Sequence, residues 1–341
     1  MPRSVRLSTD QIEPNLRDEF WRDISRPLFE VELLNGEDDA LRGAFSSRPV
    51  AGLTVATTRF NAQRYRRDRR TIVESGLDTY LVQVLVAGTL RGDCEGRTIT
   101  AATGDICIFD LARPYVTHAD AGARVAISVP RVRIDQAVGR RNLHGLVLAA
   151  TDPMARLLRG FIVDLHEVGG DLDGDDARAA ETAMIEVLAA VVSRRRLDLP
   201  DAQGPLAQRL RERIEAYLDT QLTNPDLCVE LILQEFQVSR AHLYRMFADD
   251  GGVASVIRNR RLDTAFHRLR TADAAGTSIS EIAFELGFSS SAQFTRAFRA
   301  RFDLSPSDAK QGSAGGSAEP GSVHGLQAHL ANQVERWREH P

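Results

Sequence analysis

Cysteine is scarce in this chain of 341 residues: Cys94, Cys107 and Cys228 stand singly, far apart. No pair matches a zinc-ligand or disulfide-framework spacing, so a reducing, cytoplasmic setting is expected. Long hydrophobic runs are missing as well. No apolar stretch approaches the length of about 18 residues that a membrane-spanning helix needs. The N-terminal MPRSVRLSTDQIEP has no apolar centre, so no signal peptide is expected. Histidine is thin in the first part of the chain, where His118 is the only one between residues 1 and 143. A multi-histidine metal centre cannot be assembled there. No Ser/His/Asp or Cys/His constellation stands out, and neither an enzyme, a metal nor another cofactor is expected. Lysine is nearly absent, Lys310 being the only one among 43 basic residues; that bias carries no functional weight.

What is present fits a globular protein of two domains. Hydrophobic residues make up 43% and charged residues 26%, and the length suffices for two separate cores. The net charge of −4 does not exclude a nucleic-acid partner, which needs a basic face rather than a basic total. Leu16, Phe20, Ile24, Leu28 and Phe29 recur at helical spacing, so residues 15–34 read as a helix. Between 50 and 135 the runs TVATTRF, TYLVQVLVAGTL, RTITAATGDICIFD and RVAISVP are short, β-rich and divided by turn residues. They predict an antiparallel sandwich or barrel. Helical periodicity returns at 152–168 and 175–196, the latter carrying Met184, Ile185, Val187, Leu188 and Val191. The polar, Pro- and Gly-punctuated stretch around 197–205 reads as an interdomain linker. Residues 206–310 are helical throughout. The tail from 311 to 341 opens with a Gly/Ser/Ala-rich segment that cannot bury enough apolar surface to fold alone, and a short amphipathic helix is expected at 326–337.

The segment ISEIAFELGFSSSAQFTRAFRARF carries the chemistry. Ser280 is a candidate cap for a helix whose buried side is Ile282, Ala283 and Leu286. Gly287 suits the left-handed turn that ends it, Phe288 plugs the turn, and Ser289 or Ser290 can cap the next helix. In that helix Phe294, Ala297, Phe298 and Phe302 fall inward. Ser291, Ala292, Thr295, Arg296 and Arg299 remain outside. A short helix, a glycine turn and a second helix with an arginine-bearing face make a helix-turn-helix, whose second helix fits the major groove. Arginine there can reach guanine O6 and N7 bidentately. Spacing alone serves an ordinary helical hairpin equally well. A second copy of the plan shifts the balance. In LCVELILQEFQVSRAHLYRMF, Leu231, Ile232 and Phe236 are buried in the first helix, Val238 is the plug and Ser239 the cap. Arg240, Ala241, Tyr244 and Arg245 face outward from the second. Between the copies SVIRNRRLDTAFHRLR reads as one long spacer helix. From Ser239 to Arg270 there are seven basic residues (240, 245, 258, 260, 261, 268, 270) against three acidic ones (249, 250, 263). This excess suits phosphate contact and equally suits plain solubility of the helix.

Residues 206–310 resemble the DNA-binding domain of the AraC/XylS family of transcription regulators. The phrase IAFELGFSSSAQFTRAFRARFDLSPSDAK is similar to that family's signature, and SRAHLYRMF with IRNRRLDTA is similar to its first recognition helix and linker helix. The resemblance implies two helix-turn-helix units in adjacent major grooves of double-stranded DNA. Ala241, Tyr244 and Arg245, and Ser291, Ala292, Thr295 and Arg296, would be the base-facing residues. The chain departs from the pattern at Cys228, where a hydroxyl cap is usual, at Leu233, where a small residue is usual, and at Gln237 and Asp303, where glycine is usual. The departures at Cys228, Leu233 and Gln237 put the first unit's commitment to base reading in doubt, while Asp303 belongs to the second unit, where it can tolerate the left-handed region at some cost.

The region around GDICIFDLARPYVTH resembles the AraC-binding-like regulatory domain that precedes such DNA-binding domains, over roughly residues 15–200. The expected fold is therefore α+β: a cupin-like antiparallel β-barrel with flanking helices over 1–196, then the all-α domain with two helix-turn-helix units. The resemblance implies an activator working with RNA polymerase, a small-molecule effector such as an aromatic acid held in the barrel, and a homodimer formed through the helices at 152–196. Tyr80, Gln83, Arg113, Tyr115 and His118 are candidate polar anchors for the effector, each also readable as structural. The run RYRRDRR, with Arg64, Arg66, Arg67, Arg69 and Arg70, reads as a solvated strand or loop, an anion or partner surface being the other reading. A regulator whose N-terminal domain only dimerises or binds a protein, and a cupin enzyme fused to a DNA-binding domain, are the alternatives.

Overall fold

A computed structural model describes residues 4–34, 40–138, 141–194, 205–224, 226–270 and 278–311. The expected linker up to residue 204, the tail beyond 311 and its helix at 326–337 lie outside the described residues. The chain divides into two compact units, one built on residues up to Leu197 and the other on residues from Asp198. No helix among the described residues is long and apolar enough to cross a membrane.

The first unit is built on two antiparallel sheets. The larger runs β1 (Val5–Ser8), β3 (Gly43–Val50), β4 (Leu53–Phe60), β11 (Gly122–Pro130), β6 (Thr79–Ala87), β9 (Ile106–Asp110) and β12 (Leu146–Leu148). The smaller runs β2 (Glu30–Leu33), β5 (Gln63–Arg67), β10 (Tyr115–Ala119), β7 (Leu90–Cys94) and β8 (Arg97–Ala101). No ladder joins them among the described residues, so the strands expected to close as a barrel form an open pair of sheets. Period-2 alternation explains the packing. In β11, Val125, Ile127 and Val129 face one way, and Arg124, Ala126 and Ser128 the other. The first set packs with α3 (Arg131–Val138), α4 (Pro153–Val168) and α5 (Gly174–Ser193) in one core. The intersheet side forms a second core with Phe60, Tyr65, Leu81, Leu85 and Phe109, closed at one side by α1 (Arg17–Ser25). The large sheet is thus covered on both faces, which is why β6, TYLVQVLVA, is nearly continuously apolar.

Two local readings change. The helix expected over 15–34 ends at Ser25, because Pro27 has no N–H to continue it, and the chain turns into β2. The run RYRRDRR splits into strand β5 and helix α2 (Arg69–Ser75), which Asp68 caps by accepting from the Thr71 amide at 2.8 Å. Arg64 and Arg66 pair across the strand with Glu32 and Glu30. Arg67 points inward and is only 1% exposed. Its guanidinium donates to the carbonyls of Leu111, Pro27 and Leu28 and to Ser75 Oγ.

The second unit is helical: α6 (Pro205–Gln221), α7 (Val229–Phe236), α8 (Arg240–Met246), α9 (Val253–Arg270), α10 (Ile279–Glu285), α11 (Ser291–Phe302) and α12 (Pro306–Gln311). Helix α9 belongs to two small cores. Its Val253 and Ile257 join Ile214, Leu218, Ile232, Leu243 and Phe247. Its Phe266 stacks on Phe298 at 5.9 Å and meets Phe302 at 4.7 Å. Asp263 of α9 receives a bidentate pair from Arg301 of α11, at 2.6 and 2.7 Å. Arg260 pairs with Glu215 and Asp219 of α6.

His144, buried beside β12, ties three segments together. Its Nδ1 accepts from the Asp110 amide at 3.1 Å and its Nε2 donates to the Pro114 carbonyl at 3.1 Å. That arrangement needs a neutral ring. Burial first, and then the Arg113 charge, hold its pKa below the ordinary value. Below about pH 6.5 the unfolded chain takes up a proton that the native ring refuses. The stability is therefore fully present above that pH and declines as pH falls through the window beneath it. Urea melts at about pH 7.5 and about pH 5 are expected to show this loss, with a smaller difference in His144→Asn. An unchanged pH slope in the variant would assign the loss elsewhere.

Candidate nucleic-acid interface and interior cavity

The second helix-turn-helix is α10, its turn and α11. The cap of helix α10 lies two residues earlier than its sequence suggests. Ser278, not Ser280, accepts from the Glu281 amide at 3.1 Å, while Glu281 returns a bond to the Ser278 amide at 2.6 Å. This reciprocal capping box outcompetes a lone serine cap. Gly287 has φ +71°, and a Cβ there would lie 2.7 Å from the Arg261 guanidinium. Arg261 in turn donates to the carbonyls of Leu222 and Asn224, which fixes the turn on α9. Ser290 caps α11, accepting from the Gln293 amide at 3.2 Å. Phe294, Phe298 and Phe302 are buried, each stabilising the fold by about 1.5–3 kcal/mol. Ala292, Arg296 and Arg299 are exposed, and Ser291 and Thr295 half-buried.

The first unit, α7 and α8, repeats the plan with weaker joints. Cys228 stands at the N-cap of α7 and makes no capping bond. Gln237 turns the corner at φ +51°, a conformation that costs a side-chain-bearing residue about 1–2 kcal/mol. Leu233 is half-buried against the α6–α9 core. Ser239 caps α8 normally, accepting from the His242 amide at 3.2 Å. Arg240, Ala241, Tyr244 and Arg245 are all exposed. Arg240 is paired with Glu230 at 2.6 Å. Neither Arg245 nor Arg296 has an acidic partner among the described residues. Of the seven basic residues from Ser239 to Arg270, Arg260, Arg261 and Arg268 are committed to internal bonds. The basic excess therefore resolves into structural ties and a smaller free set that includes Arg245 and Arg258.

The first unit holds a cavity of about 50 Å³ between its two sheets and α1. Of the five anchors suggested by sequence, Gln83 lies on its wall. Tyr80 points to the opposite face of the sheet, where its hydroxyl accepts from Arg131 at 3.0 Å. Arg113 is held by Glu95 and by Asn142 at 2.8 Å. Tyr115 is buried against Phe109, ring centroids 4.7 Å apart. His118 sits on β10 opposite Arg64 and Arg91; burial and then those two charges lower its pKa. The cavity wall also includes polar residues that sequence reading passed over: Ser25, Thr54, Thr58, Tyr65, Arg124 and Ser128. Their one sequence signal is phase, since Arg124 shares its strand face with Ala126 and Ser128. Among the described residues no group of three or more His, Cys, Asp or Glu side chains could hold a metal ion.

Helix α5 spends its apolar surface within the subunit. Met184, Ile185, Leu188 and Val191 are all buried in the core behind the large sheet. Of the large apolar residues of this unit that stand in solvent, Leu157 (64%) and Val168 (47%) lie on α4, Val132 on α3 and Val86 on β6.

The weak joints of the first unit give a direct stability test. Gln237→Gly is expected to raise the stability of the helical unit by about 1 kcal/mol, and Cys228→Ser by about 0.5–2 kcal/mol through a new cap. Urea midpoints would read both; a loss in either would mean that the present residue makes a compensating contact.

Comparison with known proteins follows the same division. The AraC-binding-like domain family matches residues 22–193, and a helix-turn-helix domain family matches residues 232–312. The transcriptional activator NphR of Rhodococcus sp is 24% identical over 267 residues, covering 77% of this chain and 78% of its own length. The XylDLEGF operon transcriptional activator 1 of Pseudomonas putida is 24% identical over 253 residues, covering 70% and 76%. The crystal structure of the AraC-like transcriptional activator CuxR superposes with a TM-score of 0.54 at 23% identity, covering 78% of this chain and 96% of that one.

Proposed function

This chain belongs to the AraC/XylS family of DNA-binding transcription regulators, and on that premise we propose that it is a cytoplasmic transcription activator controlled by a small molecule. The carrying observation is the pair of capped second helices, α8 and α11, which leave Arg245 and Arg296 in solvent with no acidic partner among the described residues. An unpaired guanidinium on such a helix is free to fork onto guanine O6 and N7. Ala241, Ala292 and Ser291 are small, so the helix backbone can approach the bases, while Arg240, Arg299, Tyr244 and Thr295 border the same faces. Helix α9, about 27 Å long at 1.5 Å per residue, holds each recognition helix through its own core.

The activator role is carried over from the names of the relatives, and RNA polymerase is then a further partner. Effector control is supported by the cavity between the sheets, with buried polar groups on its wall. Such a ligand acts only through different affinities for two arrangements of the protein. The apolar residues that α4 leaves in water, Leu157 and Val168, support a homodimer through this helix rather than through α5.

Fluorescence anisotropy on DNA from the gene's own upstream region, across a salt series, tests the base-reading residues. Arg245→Ala and Arg296→Ala are each expected to lose about 1–3 kcal/mol of specific affinity and to narrow the gap to random DNA. Equal affinity of wild type and both variants for specific sequence would sink the assignment of these two residues.

A further inference from the structure

Two buried arginines and one half-buried arginine in the first unit invite comparison. Arg67 donates to three carbonyls and a hydroxyl. Arg131 pairs with Asp78 and Asp110 and donates to Tyr80. Arg124 is buried too, 7% exposed, yet among the described residues it makes no ion pair, and its one polar side-chain contact is with the Tyr65 hydroxyl. Its guanidinium lies over three rings, 4.7 Å from the centroid of Tyr65, 4.9 Å from Phe60 and 5.6 Å from Phe29. Aromatic faces attract a cation, but they leave most of the five guanidinium donors unmatched. A buried charge without counter-charge is costly, and native folds seldom retain one without a use.

The surroundings are unfinished in the same way. Gln83 Oε1, Thr54 Oγ1 and the Tyr65 hydroxyl are buried without hydrogen-bond partners. All three residues line the cavity that Arg124 lines, and they are 2%, 4% and 1% exposed. The guanidinium stacks on the Tyr65 ring, and the hydroxyl makes no hydrogen bond of ordinary geometry. Burial pushes that phenol up to about 12, with the Arg124 charge pulling the other way, so the hydroxyl keeps its proton and can donate it. One cavity therefore collects a cation, an amide and the hydroxyls of Ser25, Thr54, Thr58, Tyr65 and Ser128, with no acid among its lining residues.

We propose that this cavity is a carboxylate site: it takes a compact organic monoacid whose anion sits on Arg124 and whose apolar body lies against Leu28, Phe29 and Leu81. The inference rests on the effector reading above and names the chemistry of that effector. A planar carboxylate matches the guanidinium fork bidentately and accepts from neighbouring hydroxyls. A phosphate dianion fits less well, because Arg124 is the single cation in an otherwise uncharged lining. A hydroxyl on the acid's body would satisfy Gln83 Oε1. The volume, about 50 Å³, is smaller than the roughly 150 Å³ that admits benzene in an engineered cavity. An acid larger than a few carbons therefore enters by displacing the wall formed by α1. That wall is held by side-chain packing and by the bond from Trp21 Nε1 to Gln63 Oε1 at 3.0 Å, not by a strand ladder.

The test uses full-length protein at near-neutral pH, with thermal shift and calorimetric titration as readouts. The probes are butanoate and benzoate, each against its neutral amide. The proteins are wild type, Arg124→Met and Arg124→Lys. The acids are expected to raise the wild-type Tm and the amides to leave it unchanged. Arg124→Met is expected to fold with an equal or higher Tm, since it removes an unpaired buried charge, and to bind the acids at least roughly 30-fold more weakly. Arg124→Lys keeps the charge without the fork and is expected to fall between; it also serves if the methionine variant does not fold. An acid response that survives in both variants overturns the site. A response to the amides alone overturns the carboxylate while leaving the effector reading standing. Silence from all four probes also overturns the carboxylate, and the DNA anisotropy with Arg245 and Arg296 variants still judges the regulator reading separately.

Discussion

Helix α9 is the constraint on which the DNA-binding unit depends. Each helix-turn-helix is a few short helices, too small to bury a sufficient core by itself. The helix solves this by serving two cores at once. Its first turns complete the core of α6, α7 and α8 through Val253 and Ile257. Its last turns complete the aromatic cluster of α11 through Phe266. Polar ties reinforce both ends, Arg260 toward α6 and Asp263 toward α11. A rigid rod packed into both cores fixes the register between them, and with it the face from which Arg245 and Arg296 project.

The first unit follows a different logic. Its large sheet is covered on both faces, by helices on one side and by the small sheet with α1 on the other. The helix-facing side is a dense aliphatic core in which polar groups such as Tyr80 and Arg131 satisfy one another. The intersheet side is less complete. It holds aromatic rings around an unneutralised guanidinium and several unpaired polar atoms. Cores are normally satisfied in full, so the two faces of one sheet differ in how completely their polar groups are paired.

The turn chemistry of the two helix-turn-helix units shows how closely residue choice and geometry are coupled. Gly287 is required twice over, by its positive φ and by the Arg261 side chain pressed against the space a Cβ would fill. Gln237 stands at the matching turn with a positive φ, which costs backbone strain, while its side-chain amide donates to the Gln234 carbonyl at 2.6 Å. Asp303 likewise accepts a left-handed conformation at the end of α11, which short polar side chains endure better than most.

Much of this was legible in the residues. Helical phase alone separated Phe294, Phe298 and Phe302 from Ala292, Arg296 and Arg299, because a helix at 3.6 residues per turn has one core-facing stripe. Capping and glycine signals located the turns to within a residue or two, Ser278 replacing Ser280 because reciprocal capping with Glu281 outweighs a lone serine. The basic runs were the least legible part. Whether an arginine is free or bound depends on partners far away in the chain: Arg67 is held by Leu111, Arg260 by Glu215 and Asp219, and Arg301 by Asp263. The interior of the sheets was hidden for another reason. Alternation in β4, β6 and β11 divides residues between two faces but does not say which face meets helices and which meets a cavity when both are buried. The sequence by itself determined the family, the two helix-turn-helix units and their outward residues, since local periodicity and short-range turns encode them. Only the tertiary structure decided that Arg124, Thr54, Tyr65 and Gln83 share one space, since strands distant in sequence must pair before their side chains can converge.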